Sequence, residues 1–240
     1  MNDWIVTYKA VAWKEIKENL RQSRWLVPLT IGCILFMQYI FTKPVCENDI
    51  LLPTQKSHIL SCVAMFMPVM VIMFVGNSFM MRSMYEERLN AMVHVLLASG
   101  VSPLCIWVAK TSIAVVVAYL TAMVTVALYI VFLEVVFDVF VMWGWVVWAG
   151  ILVNMPIMAI GTVSLLSVTF WWVRNSQVVG LLGILVTAIS MPLLWPLAGS
   201  VKTAYQSYVL LSGALVAGVV MVGISVLGIR FISNERITDI

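Results

Sequence analysis

The sequence predicts an all-α, polytopic membrane protein. Three observations carry that reading: 62% of the 240 residues are hydrophobic, only 10% are charged, and the mean hydropathy is +1.03. A soluble domain carries about 45–50% apolar and about 25% charged residues, so a water-soluble fold of this size could not hide so much apolar surface. The same arithmetic excludes a disordered chain, a coiled coil and a nucleic-acid-binding domain. A net charge of +3, from 14 Lys+Arg against 11 Asp+Glu, is too weak a balance to imply a polyanionic partner.

The charge-free stretches define six spans: Trp25–Thr42, Ser57–Met81, Thr111–Leu133, Val139–Val173, Asn175–Val201 and Thr203–Ile229. Each reaches the roughly 18 residues that cross ~30 Å of hydrocarbon. The fourth run is too long for one crossing. Its helix is placed between Trp143, Trp145 and Trp148 at one end and Trp171 and Trp172 at the other, which read as interfacial belts. Barrel strands would be about ten residues long and strictly alternating, whereas these runs are continuous.

Orientation follows from Lys and Arg. One set of loops holds Lys9, Lys14, Lys17, Arg21, Arg24, Arg82, Arg88, Lys110, Arg174, Arg230 and Arg236. The other holds Lys43, Lys56 and Lys202, a ratio of 11 to 3. The positive-inside rule then puts both termini in the cytoplasm of a multi-pass protein, expected in a plasma membrane of bacterial type. The first apolar run ends at Lys43 without a small-residue cleavage site, so the first helix is expected to stay in the membrane. Cys33 and Cys62 fall within spans, Cys105 on the cytoplasmic side and Cys46 outside, which gives four unpaired thiols and no disulfide framework.

Residues 1–24 read as an amphipathic elbow helix lying on the inner leaflet, ahead of a transmembrane domain over 25–240. On a helical wheel Ala12, Trp13, Ile16 and Leu20 share one arc, while Lys14, Lys17, Glu18 and Arg21 occupy the other side. Trp13 among basic neighbours suits a membrane interface. A plain charged tail is the simpler alternative. Lys9 falls on the apolar arc, so the pattern is cleaner after residue 10.

The segment 82–110 is the longest polar stretch. Leu89, Met92, Val93, Leu96 and Leu97 recur at helical spacing, with Glu86, Glu87, Asn90 and His94 on the polar side. Two acids in the first turn suit the positive end of the helix dipole. Gly100 is a stop signal, and Ser102 and Pro103 read as the N-cap and first residue of a new helix running through Lys110 into the third span. The pattern predicts a helix, a break and a second helix. It suits docking of a cytoplasmic partner, or a helix that merely rests on headgroups.

The order of parts resembles the permease subunits of ABC-2 type transporters. That family commonly carries Glu-Arg-Glu, a spacer, Gly-Thr-Leu-Glu, two or three apolar residues, then a small residue, Pro, Val and Ser between spans two and three. Glu87 and Arg88 match the opening, and Leu96, Leu97, Ala98, Ser99, Val101 and Ser102 match the end. Ala91 stands where the family has Gly, His94 where it often has Glu, and Gly100 where it has Pro. The resemblance implies a coupling helix, with Glu86, Glu87, Arg88, Asn90 and His94 at or near a cytoplasmic ATPase. It also implies two ATPase subunits that bind ATP and Mg, and a second permease chain forming a homo- or heterodimer.

The chain has no G-x-x-x-x-G-K-[ST] phosphate loop, so no ATPase activity is expected of it and no cofactor of its own. His58 and His94 fall on opposite sides of the membrane, and no paired metal motif occurs. Span interiors hold no Asp, Glu, Lys or Arg, which argues against an ion-coupled carrier or an intramembrane protease.

The run Met191–Ser200, with Pro192, Trp195 and Pro196, interrupts an apolar stretch. It reads as a re-entrant outer segment over about 191–206, or as a kinked helix end. Similar broken helices act as outer gates in ABC-2 permeases. Pro68 and Pro156 are expected to kink spans two and four. Gly161, Ser164 and Ser167, and Ala214 and Gly218, have the small-residue spacing of close helix contacts within one chain. The 16 Met residues could line a permissive lipophilic path or serve as lipid-facing filler.

The expected function is the membrane-spanning half of an ABC exporter for an amphipathic or lipophilic substrate such as a peptide, drug or lipid-like molecule. The alternatives are a haem-exporter-like or cofactor-maturation permease, a non-transporting scaffold that recruits a cytoplasmic partner, and an ATP-independent channel.

Overall fold

Helix α1 (Asn2–Gln22) leads through a short turn into α2 (Leu26–Cys46) in the computed structural model, which describes residues 2–22, 24–48, 50–86, 101–139, 144–172 and 204–230. Two long helices follow. Helix α3 (Pro53–Met80) continues into a π-helical turn, Met81–Glu86, and α4 covers Pro103–Phe137. Then come a short α5 (Trp145–Ala149), a second π-helical turn, Gly150–Asn154, and α6 (Met155–Trp172). The last described element is α7 (Ala204–Arg230). No strand occurs among the described residues.

Local chemistry explains where the long helices begin. Proline suits a first turn, because its missing N–H would have no intrahelical partner there. Helix α3 opens at Pro53, and the Leu52 N–H just before it donates to Gln55 Oε1 at 3.2 Å. Helix α4 opens at Pro103 behind Ser102, whose Oγ accepts the Cys105 N–H at 3.3 Å. This is the cap and start read from the sequence. Helix α4 has 35 residues and is therefore about 52 Å long, well beyond a hydrocarbon core. It ends at Asp138, a left-handed residue (φ 50°), where the Val139 N–H closes back on Leu133 O at 3.2 Å.

Four stretches are long and apolar enough to cross a membrane: Leu26–Cys46, Pro53–Met84, Leu104–Phe137 and Val147–Phe170. They overlap the first four runs read from the sequence, but the first three extend past the charge-free bounds, so that Lys43, Lys56, Arg82, Lys110 and Glu134 fall within them. The fourth lies between the two tryptophan clusters, with Trp145 and Trp148 exposed at its start. The sixth run corresponds to α7, in which Leu215–Ile229 is the apolar stretch. The fifth run, the helix expected within 87–100 and the interrupted segment around Pro192 lie outside the described residues.

Helix α3 is the centre of the packing. It contacts α2, α4 and α6, and Leu60, Val71, Ile72, Val75, Phe79 and Met80 are fully buried along it. A helix covered over most of its surface by apolar neighbours needs no polar stripe through its middle, and α3 has none over Ile59–Gly76, apart from Ser61. Pro68 sits inside it and is buried. Pro156 follows the second π-helical turn, so the ladder is already interrupted where the proline removes a donor.

Helices α6 and α7 approach through glycine. A Cβ placed on Gly161 would lie 2.6 Å from Gly218 O, and one on Gly218 would lie 2.9 Å from Ile157 Cγ2. Gly76 of α3 is similarly close to Val163 of α6, at 2.6 Å. Without a hydrophobic drive in lipid, close van der Waals approach is a main source of helix association. The Gly161 and Gly218 faces noted in the sequence thus serve a contact inside the chain.

Candidate functional site

Helix α1 packs on α4, through one face made by Tyr8, Val11, Ala12 and Glu15. These positions have the i, i+3, i+4, i+7 spacing of a single helical stripe. At one end of the stripe, the Tyr8 and Ser112 hydroxyls share a hydrogen bond of 2.8 Å. Val11 and Ala12 fill the middle and are buried. At the other end, the Glu15 carboxylate enters a charged cluster with Ser83 and Lys110.

The cluster joins three elements. Lys110 Nζ on α4 donates to Glu15 Oε1, to Ser83 O at 2.9 Å and to Ser83 Oγ at 3.0 Å. Ser83 Oγ in turn donates to Glu15 Oε2 at 2.6 Å. Three acceptors therefore face the three ammonium protons, and the hydroxyl both donates and accepts. Glu15, Ser83 and Lys110 are only 3%, 5% and 2% exposed. Burying a carboxylate and an ammonium costs several kcal/mol each. It is offset only where geometry and extra hydrogen bonds satisfy both ions, as they do here.

Ser83 lies in the π-helical turn Met81–Glu86, which rests against α1 and α6 as well as closing α3. Such turns recur at functional sites. Segment 87–100 leaves from this turn and returns at Val101, seven residues before Val108 and nine before Lys110 on the chain. The cluster thus sits at both roots of that segment.

Further bonds pin the spans. The Trp107 indole N–H donates to Ser167 Oγ at 2.6 Å, tying α4 to α6. The Thr42 and Tyr129 hydroxyls meet at 3.0 Å between α2 and α4, both fully buried. At the opposite end from the cluster, Lys56 Nζ donates to Cys46 O at 2.9 Å, tying the start of α3 to the end of α2. One turn before Thr42, the Gln38 amide is fully buried, with no hydrogen-bond partner on its nitrogen or its oxygen among the described residues.

The residues singled out in the sequence are distributed unevenly. Trp13 is 69% exposed, on the side of α1 turned away from α4, together with Val6. Ala12, assigned to the same arc as Trp13, is buried against the protein instead. Lys14 pairs with Glu18 at 3.8 Å, and Lys17 and Arg21 are exposed. Glu86 closes the π-helical turn. Glu87, Arg88, Asn90, His94, Pro192, Trp195 and Pro196 lie outside the described residues.

Sequence reasoning missed Glu15 and Ser83, and it counted Lys110 as a loop charge. The signal for Glu15 was the stripe itself: Tyr8, Val11 and Ala12 point one way, and Glu15 continues them. Comparison with models of protein families, with curated proteins and with solved structures returned no match.

Proposed function

We propose that this chain is the permease subunit of an ABC-type exporter. Six spans, with both termini in the cytoplasm, would form a path for an amphipathic or lipophilic substrate. Two separate ATPase subunits, with their ATP and Mg, would drive it, and a second permease chain would complete the path. The observation that carries the reading is the polar, helix-patterned stretch 82–110, set between two long apolar runs on the side that holds most of the Lys and Arg. The ABC-2-like residues Glu87, Arg88, Leu96–Ser99, Val101 and Ser102 lie within it. A rod docked on a motor passes on a push only if its roots are stiff. Helix α4 continues unbroken from Pro103 into the bilayer-length stretch, which supports that use.

The elbow role of α1 fits the same reading. Its exposed Trp13 and Val6 suit the headgroup region, and Lys17 and Arg21 suit anionic lipid. The test is co-purification of the chain with the products of its neighbouring genes, among which an ATPase is expected. The complex is expected to form and to lose its ATPase when Glu86 and Glu87 are both changed to Lys. A chain that captures no ATPase, or a complex indifferent to those charge reversals, sinks the permease reading and leaves the scaffold one standing.

A further inference from the structure

We infer that Glu15, Ser83 and Lys110 form a latch that makes α1 and the two roots of segment 87–100 move as one body. A displacement of that segment is then delivered through α1 to the foot of α2. The use of this latch in transport rests on the permease reading, whereas its mechanics rest on the geometry alone.

Three features carry the inference. The first is connectivity. Ser83 precedes the segment, Lys110 follows it, and Glu15 belongs to α1, which is separated from α2 by only three residues of chain, 23–25. A motion of either root reaches Glu15 within one hydrogen bond.

The second is stiffness. Val11 and Ala12 are small, and a contact made of them alone would let α1 slide along α4. A buried ion pair is directional. Shifting it by one residue would leave a carboxylate and an ammonium uncompensated out of water. The Tyr8–Ser112 hydrogen bond, seven residues away on the same stripe, fixes a second point, and two points define an orientation. Fully satisfied polar networks select one arrangement among many.

The third is the state of Ser83. Its carbonyl oxygen accepts from Lys110, and its hydroxyl bridges the two charges. The π-helical turn that holds it is therefore tied to α4 by backbone and side chain together. The opposite side of α1 carries exposed Val6 and Trp13.

The experiment measures a distance. The full chain, freed of its native cysteines and placed in lipid nanodiscs, receives spin labels at two exposed sites, Lys17→Cys on α1 and Leu104→Cys at the start of α4. The parent is expected to give one narrow distance. Glu15→Gln is expected to lose it in favour of a broad distribution, and the exchanged pair Glu15→Lys with Lys110→Glu to restore it. Ser83→Ala keeps both ions and is the milder variant where Glu15→Gln does not fold; it is expected to broaden the distance by a smaller amount. A narrow, unshifted distance in Glu15→Gln, or in Ser83→Ala if only that variant folds, overturns the latch.

A second arm uses the complex with its ATPase, probed with a fluorescent hydrophobic peptide. Glu15→Gln is expected to hold the ATPase but to move less peptide per ATP turned over. If the parent chain binds no ATPase, the permease reading fails while the distances still decide the latch. If the complex forms and Glu15→Gln exports at the parental ratio, the latch fails as a transmission element.

Discussion

Gly161 and Gly218 meet backbone to backbone: a Cβ on the first would sit 2.6 Å from the carbonyl oxygen of the second and 3.2 Å from its Cα. The neighbour is main chain, so it cannot rotate away. Gly161→Ala is expected to push α6 and α7 apart and to cost about 1–3 kcal/mol, the usual penalty of overpacking. A Cβ on Gly223 of α7 would meet nothing within 4 Å among the described residues, so Gly223→Ala is expected to be neutral or to stabilise by up to about 1 kcal/mol through helix propensity. Reversible unfolding in mixed detergent–lipid micelles checks both.

The charged cluster predicts an asymmetry between single and paired substitutions. Lys110→Met takes the ammonium away from the buried Glu15 carboxylate and is expected to destabilise by about 3–5 kcal/mol. Adding Glu15→Leu to it removes the stranded charge and is expected to recover most of that loss. The same unfolding titration reads the difference. Equal damage in the single and double variants would refute the account of a matched ion pair.

Thr42 and Tyr129 predict a smaller coupling. Tyr129→Phe and Thr42→Val each delete one hydroxyl of a 3.0 Å buried bond. A double-mutant cycle is expected to return a coupling of about 0.6–1.7 kcal/mol, the range seen for hydrogen bonds between membrane helices. A cycle that closes to zero would mean the two hydroxyls contribute independently.

Gln38 predicts a gain. Its amide is buried with nitrogen and oxygen both unpartnered among the described residues, and an unsatisfied buried polar group costs about 1–3 kcal/mol. Gln38→Leu has similar volume and no polar atom, so it is expected to raise stability by an amount in that range. A substitution that lowers stability would show that the amide is satisfied in the membrane.

Much of the architecture was legible because it depends on local signals. Ser102 and Pro103 marked a helix start through capping chemistry that needs no knowledge of the rest of the chain. The tryptophans at 145, 148, 171 and 172 bracketed a span for the same reason. The latch was not legible. Glu15 stands among Lys14, Lys17 and Glu18, where one more acid looks like a solvated face, and its partners lie 68 and 95 residues away. The wheel also assumed that α1 has a single apolar arc. Ala12 and Trp13 are adjacent in sequence, yet one faces α4 and the other faces away, so the helix has two apolar sides that a single moment averages together.

The bond from Lys56 to the Cys46 carbonyl bears on how the chain enters the bilayer. Helix α2 is the least apolar of the four long stretches and the least covered by its neighbours, with Leu29 and Phe36 largely exposed. Helix α3 is the most apolar of them. With the end of the first fastened to the start of the second, the pair can partition as one hairpin. The strongly lipophilic arm carries in the weaker one, and the lysine stays behind with the headgroups as the hairpin's bend.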